Sequence, residues 1–333
     1  MTVTDVEQHA PEPAGDEDVP RVVVQHPSRG DRIFKKVALA AGSSSLLIMG
    51  FTALFLLLKG YEALSQAGLS FFTTFEWQTN TSPPKFGVAA MMYGTLVVAV
   101  IALVVAVPIA ILASLFINEV APRRTRRTLT ALVDLLAAIP SLIYGIWGLL
   151  FLQPALFTTF NWVADYLGWI PVFKSDQRVF AGSLFMCGLV VSIMVLPIAT
   201  SVMREVFSQA PPYEREGALA LGSTRWGMIR TVVLPFGRGG IVGGSMLGLG
   251  RALGETIAVA IILSPSYKIQ TQLLEPGGAT VASTIAVEFF EATPLGVSAL
   301  MAAGLALFAV TLVVNMAASA IVSRSRSGSG VEI

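Results

Sequence analysis

The sequence predicts an all-α integral membrane protein with six transmembrane helices and both termini on the cytoplasmic side. Three observations lead there. Hydrophobic residues make up 54% of the 333-residue chain and charged residues only 13%, and the mean hydropathy is +0.72, so a soluble fold of this size would lack polar surface. Uncharged stretches long enough to cross the hydrocarbon core, about 20 residues each, recur along the chain. The basic residues then set the orientation: sixteen fall on segments assigned to the inside, five on segments assigned to the outside, and Arg251 lies within a span.

Residues 1–31 are an acidic, proline-rich tail. Asp5, Glu7, Glu12, Asp16, Glu17 and Asp18 stand among Pro11, Pro13 and Pro20, a composition that cannot bury enough apolar surface to fold, so disorder is predicted. The tail lacks the basic start of a signal peptide. Its His9 and His26, the only histidines, suggest no metal site. A membrane domain at 32–323 follows, with spans expected at residues 37–58, 88–117, 132–153, 179–203, 240–263 and 297–322, and a second cytoplasmic tail at 324–333. The third span is ended at Gln153-Pro154, which places the chain from Ala155 outside. Trp77, Trp162 and Trp169 fall on outer segments, where indole rings favour the headgroup zone. Pro108 and Pro197 are candidate kinks in spans two and four. Cys187 is the only cysteine, which excludes an intrachain disulfide.

The catalytic repertoire is sparse. No Gly-Lys dipeptide occurs, so there is no P-loop; neither a HExxH zinc motif nor paired intramembrane aspartates are present. Gly248-Leu249-Gly250 with Gly254 follows no strand and has the wrong spacing for a dinucleotide fingerprint. No catalytic residue, metal or cofactor is predicted. The composition favours solute passage driven from elsewhere over an enzyme.

The inner loop at residues 204–238 is long enough to need a reason. Pro211-Pro212 opens a helix, Glu214 and Glu216 complement its positive end, and Gly222 stops it. Ser223 is expected to cap a second helix through Val233, ended by Leu234-Pro235. The result is a helical hairpin at 212–235. Its spacing, Glu216-Gly217-Ala218, three residues, Gly222, nine residues, then Val232-Val233-Leu234-Pro235, resembles the EAA signature of ABC-importer permeases, with Gly217 in place of alanine and Val232 in place of isoleucine. The resemblance implies that Glu216, Gly217, Ala218, Gly222, Leu234 and Pro235 belong to a coupling helix docking on a cytoplasmic ATPase. An apolar strip of Ala218, Leu219 and Leu221, flanked by Arg215 and Arg225, suits a helix-in-groove contact.

Arg251 and Glu255 interrupt the fifth span four residues apart, on one face if the helix is continuous. Either charge in lipid costs about 2.5–3.5 kcal/mol. Two readings stay open: a mutually neutralising structural pair, or a pair lining a water-accessible path for a charged solute. The same alternative holds for Gly240, Gly244 and Gly248, and for Gly250 with Gly254, whose spacing suits close packing within the chain or against a second permease. Asp134, at the inner end of span three, is expected to pair with the Arg123–Arg127 cluster.

Gly250-Arg251-Ala252-Leu253-Gly254-Glu255-Thr256 resembles the R-A-x-G-E-T segment of phosphate-specific ABC-importer permeases. Gly94-Thr95-Leu96 with Pro108 and Asn118-Glu119 resembles that family's second span, and Ile139-Pro140-Ser141 with Tyr144-Gly145 its third. The similarity runs from about Phe86 to Val322 and is closest to the PstC branch. It implies a type I importer permease (MetI-like) fold in the bacterial plasma membrane, with Arg251, Glu255 and Thr256 on the phosphate path. It also implies a second permease (PstA-like), two copies of an ATPase (PstB-like) that consumes the ATP, and an extracytoplasmic phosphate-binding protein (PstS-like). Lipid surrounds it and no nucleic acid is expected. A permease for sulfate or molybdate, or a phosphate-sensing membrane regulator that moves no solute, is the alternative.

Overall fold

The computed structural model describes residues 28–176 and 178–326. Residues 1–27 of the acidic tail, with His9 and His26, and the end of the C-terminal tail lie outside it. The chain divides into two units, Met1–Phe51 and Thr52–Ile333. The described part of the first is the start of helix α1 (Arg29–Ala67). That start is capped reciprocally: the Ser28 N–H donates to Asp31 Oδ2 (2.9 Å) and the Asp31 N–H to Ser28 Oγ (3.1 Å).

In the second unit, the later turns of α1 lead into a short antiparallel pair, β1 (Trp77–Gln78) and β2 (Lys85–Phe86), and then α2 (Ala89–Leu115). The last turn of α2 widens into a π turn at Phe116–Val120. Val98, Ala102, Ala106 and Ala110 are completely buried along one face of α2. Their four-residue spacing and small side chains let α2 lie close to α6 (Leu184–Ser208), whose Met186, Cys187, Val190 and Met194 fill the same core. Ser183 caps α6 by accepting from the Met186 N–H (3.2 Å).

The third span departs from expectation at both ends. Residues Arg123–Ala137 form a separate amphipathic helix, α3, with no buried residue. Pro140 lacks an N–H and restricts Ile139 before it, so α3 stops and α4 (Ser141–Trp147) starts afresh. Gln153-Pro154 does not end the span. A π turn at Gly148–Leu152, closed by the Gln153 N–H on the Gly148 carbonyl, takes up the proline in a wider ring, and α5 (Gln153–Leu167) continues. The chain from Ala155 to Leu167, expected outside, is thus helical and belongs to a 27-residue apolar segment, Ser141–Leu167. Trp162 is on that helix and exposed, Trp169 is exposed beyond it, and Trp77 is buried.

After α6 come α7 (Pro212–Ala220), α8 (Arg225–Met228), a π turn at Ile229–Val233 and α9 (Leu234–Phe236). The chain then turns by 65° into α10 (Arg238–Leu253). Gly237 makes this turn possible, because a Cβ there would lie 2.1 Å from the Phe207 ring. A three-residue break separates α10 from α11 (Ile257–Ile262), so the span expected over 240–263 is two helical pieces. Sixteen residues of α10 reach only about 24 Å, short of the roughly 30 Å hydrocarbon core.

The described chain ends with α12 (Val281–Glu288), opened by a Thr280–Ser283 capping box, and α13 (Pro294–Arg326). Within the second unit α13 seals against α1: a Cβ on Gly60 would lie 2.8 Å from the Ala302 backbone, and Ser298 Oγ donates to the Lys59 carbonyl (2.8 Å) while accepting from the Ala63 N–H (3.1 Å). Among the described residues, five helices are long and apolar enough to cross a membrane, and six if the bent pair counts as one span.

Candidate functional site

The break at Gly254–Thr256 reshapes the Arg251–Glu255 pair. Glycine at 254 ends α10, with its N–H on the Gly250 carbonyl (3.3 Å). Glu255 is therefore not one helical turn above Arg251. Its buried carboxylate turns forward and accepts from the Ala258 N–H (3.4 Å) at the start of α11. Thr256 Oγ1 donates back to the Gly254 carbonyl (3.0 Å), bracing the break from within. Arg251 forms no hydrogen bond or ion pair among the described residues, and its buried Nε has no partner. The mutually neutralising pair that the spacing allowed is not formed.

Around this break the backbones approach closely. A Cβ on Gly145 would lie 2.9 Å from Cα of Ala258, so the Tyr144-Gly145 dipeptide seats α4 directly on α11. Tyr144 is buried and donates its hydroxyl proton to the Leu136 carbonyl (2.9 Å). Pro140 and Ser141 start that helix where Tyr144 can reach. On the other side, a Cβ on Gly94 would come 2.1 Å from the Ala279 carbonyl oxygen. Thr95 Oγ1 donates to the Met91 carbonyl (2.7 Å) and accepts from the Val281 N–H (3.1 Å). The Gly94-Thr95 pair thus fixes the segment that follows α11 onto α2.

At the hairpin, local stereochemistry accounts for the signature residues. Gly222 has φ +86°, a left-handed position that favours glycine. Its N–H bonds the Leu219 carbonyl (3.0 Å) and the Ser223 N–H the Ala218 carbonyl (3.1 Å), the two bonds of a Schellman motif. The second helix is capped by Thr224, whose side chain accepts from the Gly227 N–H (3.1 Å), and not by Ser223, because the Schellman bond commits the Ser223 backbone to the first helix. Helical structure runs on through Leu234 and Pro235 to Phe236. Glu216 and Gly217 are exposed. Leu219 and Leu221 are exposed too, but Ala218 packs against the cluster of Met203, Phe207 and Met228. Tyr213 and Trp226, which the sequence reading passed over, extend the exposed apolar surface.

Arg215 does not flank that surface. It turns inward, with Nη1 3.2 Å from Glu119 Oε1 and Nη2 donating to the Phe207 carbonyl (2.5 Å). Nothing local in sequence pairs Glu119 with Arg215. Asp134 likewise meets Arg204 (3.9 Å) and Ser201 (3.3 Å) of α6 in place of the arginines of its own helix, since α3 lays that face on α6. One of those arginines, Arg126, donates to the carbonyls of Ile117 and Asn118. The glycine stripe also resolves. Gly240, Gly244 and Gly248 face Val206, Met203 and Val195 of α6, while Gly243 and Gly250 meet nothing within 4 Å. The first three serve packing within the chain.

Residues 106–327 match the family described as binding-protein-dependent transport system inner membrane component. The chain is 44% identical over 306 residues to the phosphate transport system permease protein PstC 2 of Mycobacterium tuberculosis, covering 90% of this chain and 94% of that protein. It is 42% identical over 291 residues to the phosphate transport system permease protein PstC of Xylella fastidiosa, covering 86% and 89%. Among solved structures it is similar in fold to a bacterial ABC transporter involved in import of the acidic polysaccharide alginate. The TM-score there is 0.50 at 19% identity, over 88% of this chain and 99% of that one.

Proposed function

The chain belongs to the binding-protein-dependent transport system inner membrane components, and from that membership we propose that it is the permease subunit through which an ATP-driven importer passes inorganic phosphate. It is a multi-pass plasma-membrane protein, part of a transport system and not an enzyme. The observation that carries the substrate is Arg251: a guanidinium without a partner among the described residues, beside a helix break in an otherwise apolar span. A charge so placed needs a counter-charge, and the planar fork of donors suits a tetrahedral oxyanion. The relatives named as phosphate permeases support the same reading.

Glu255 supplies discrimination. One oxygen is committed to the Ala258 N–H, and the other has no hydrogen bond among the described residues. It accepts a hydrogen bond from the protonated oxygen of hydrogen phosphate, a donor that sulfate lacks, and Thr256 holds the break open beside it. ATP is consumed by a partner chain, so this subunit needs no cofactor of its own. The Glu216–Pro235 hairpin, on the cytoplasmic side, docks on one of two copies of that ATPase through Leu219 and Leu221. A second permease completes the pathway, and an extracytoplasmic phosphate-binding protein delivers the solute.

Uptake of radiolabelled phosphate by the reconstituted complex, with sulfate as competitor, tests the proposal. Glu255→Gln, which offers an amide where the carboxylate stood, is expected to weaken preference for phosphate over sulfate more than Glu255→Asp. Equal behaviour of the two overturns the role of Glu255; absence of phosphate uptake by the unaltered complex overturns the substrate.

A further inference from the structure

We infer that Glu119 and Arg215 are positioning residues, the joint through which the hairpin drives the second and fourth spans; this rests on the function proposed above. Glu119 sits in the π turn that ends the second span, and its side chain is only 7% exposed. Arg215 is on the first helix of the hairpin, its side chain 22% exposed. One arm of the guanidinium is on Glu119 and the other on the Phe207 carbonyl, in the last turn of α6. A single hairpin side chain is therefore fixed to two spans.

The seat of Glu119 is itself held. Asn118 Nδ2 donates to the Arg204 carbonyl (2.7 Å) and Arg126 Nε to the Ile117 carbonyl (2.9 Å). A push on Arg215 therefore reaches α2 and α6 together. The remaining contacts of the hairpin with the bundle are mainly apolar, through Ala218, Met228 and Val233. Apolar packing resists separation but is not directional, so it allows sliding. The guanidinium is hydrogen-bonded at one end, to the Phe207 carbonyl, and ion-paired at the other with a Glu119 oxygen that has no hydrogen bond among the described residues; the pair behaves as all or nothing, because removing one partner leaves the other charge buried and uncompensated.

Such a joint predicts loss of coupling with the motor intact. In proteoliposomes holding the complete transporter, phosphate uptake and ATP hydrolysis are measured on the same vesicles for Glu119→Gln, Arg215→Gln and the double variant. Each single change is expected to lower phosphate imported per ATP hydrolysed about tenfold, with hydrolysis within about twofold of the unaltered complex. The double variant should be no worse than either single one, the mark of one shared interaction. An unchanged ratio in the single variants overturns the inference, as does a parallel fall of uptake and hydrolysis, or additive losses. Should Arg215→Gln fail to accumulate, Arg215→Lys, which keeps the charge and loses the fork, is expected to give an intermediate ratio, and a normal ratio overturns the inference. If the unaltered complex imports sulfate or molybdate in place of phosphate, the substrate assignment fails and the same ratio is read on that oxyanion.

Discussion

Charges are used in opposite ways at the two ends of α10. Beside its start, at the hairpin, Arg126, Arg204 and Arg215 each hold partners, and Asn118, Glu119 and Asp134 answer them. Beside its end, the Arg251 guanidinium forms no hydrogen bond or ion pair among the described residues, and Glu255 serves the backbone of the next helix. An arginine costs more to place within a span than at the hairpin, which makes the lack of partners at Arg251 the more telling. Partnered charges join helices, and on the proposed function the unpartnered one is left for phosphate.

The largest expected effect tests that contrast directly. Arg251→Ala should cut phosphate uptake at least about a hundredfold while the protein accumulates normally, because no protein group loses a bond. Asn118→Ala should do the reverse. It strips the Arg204 carbonyl of a buried donor, at about 1–3 kcal/mol, and should lower the yield of folded protein before it changes transport per molecule. If Arg251→Ala destabilises as Asn118→Ala does, measured by thermal unfolding in detergent, the contrast collapses.

A smaller effect belongs to Gly222. Valine there must hold a left-handed backbone at about 1–2 kcal/mol with open space around it, so Gly222→Val should leave membrane insertion intact and reduce transport several-fold. Normal ATPase docking and transport in that variant would remove the hairpin from the coupling path.

Smaller still is an alkaline dependence at Tyr267. The Tyr267 hydroxyl donates to Glu288, which also accepts from Trp77. Burial, and then the bond to Glu288, raises its pKa above the ordinary 10.0. The folded state therefore keeps a proton that the unfolded chain releases above about pH 10, and the stability it lends is complete below that pH and lost as pH rises. Tyr267→Phe should flatten the melting temperature against pH above 10, at a cost near 1 kcal/mol at neutrality. A slope unchanged by that substitution would place the titration elsewhere. The smallest effect is Gly217→Ala, in open space within a helix. It should leave transport unchanged and stabilise by about 1 kcal/mol; a loss of uptake would show a partner pressed against that position.

The hairpin was legible from sequence because its determinants are local: proline before the helix, glycine after it, a fixed count between them. The third span was misjudged because a proline reads as a stop unless the π turn in front of it is known. Gly254 reads in the sequence as a packing residue, whereas in the structure it ends a helix and so separates Arg251 from Glu255. The Glu119–Arg215 contact had no signal at all, since the two residues are brought together only by how α2 and α6 pack.

The bond between Thr95 and Val281 has a consequence for how the chain is made. Its partners are 186 residues apart, so at 5–20 residues per second the ribosome needs roughly 10–40 s to reach the second after the first. Through that interval the Thr95 hydroxyl proton is already spoken for by Met91, one turn back on its own helix. The second span can therefore rest in the bilayer as a self-sufficient helix, keeping a lone pair ready for a segment not yet synthesised.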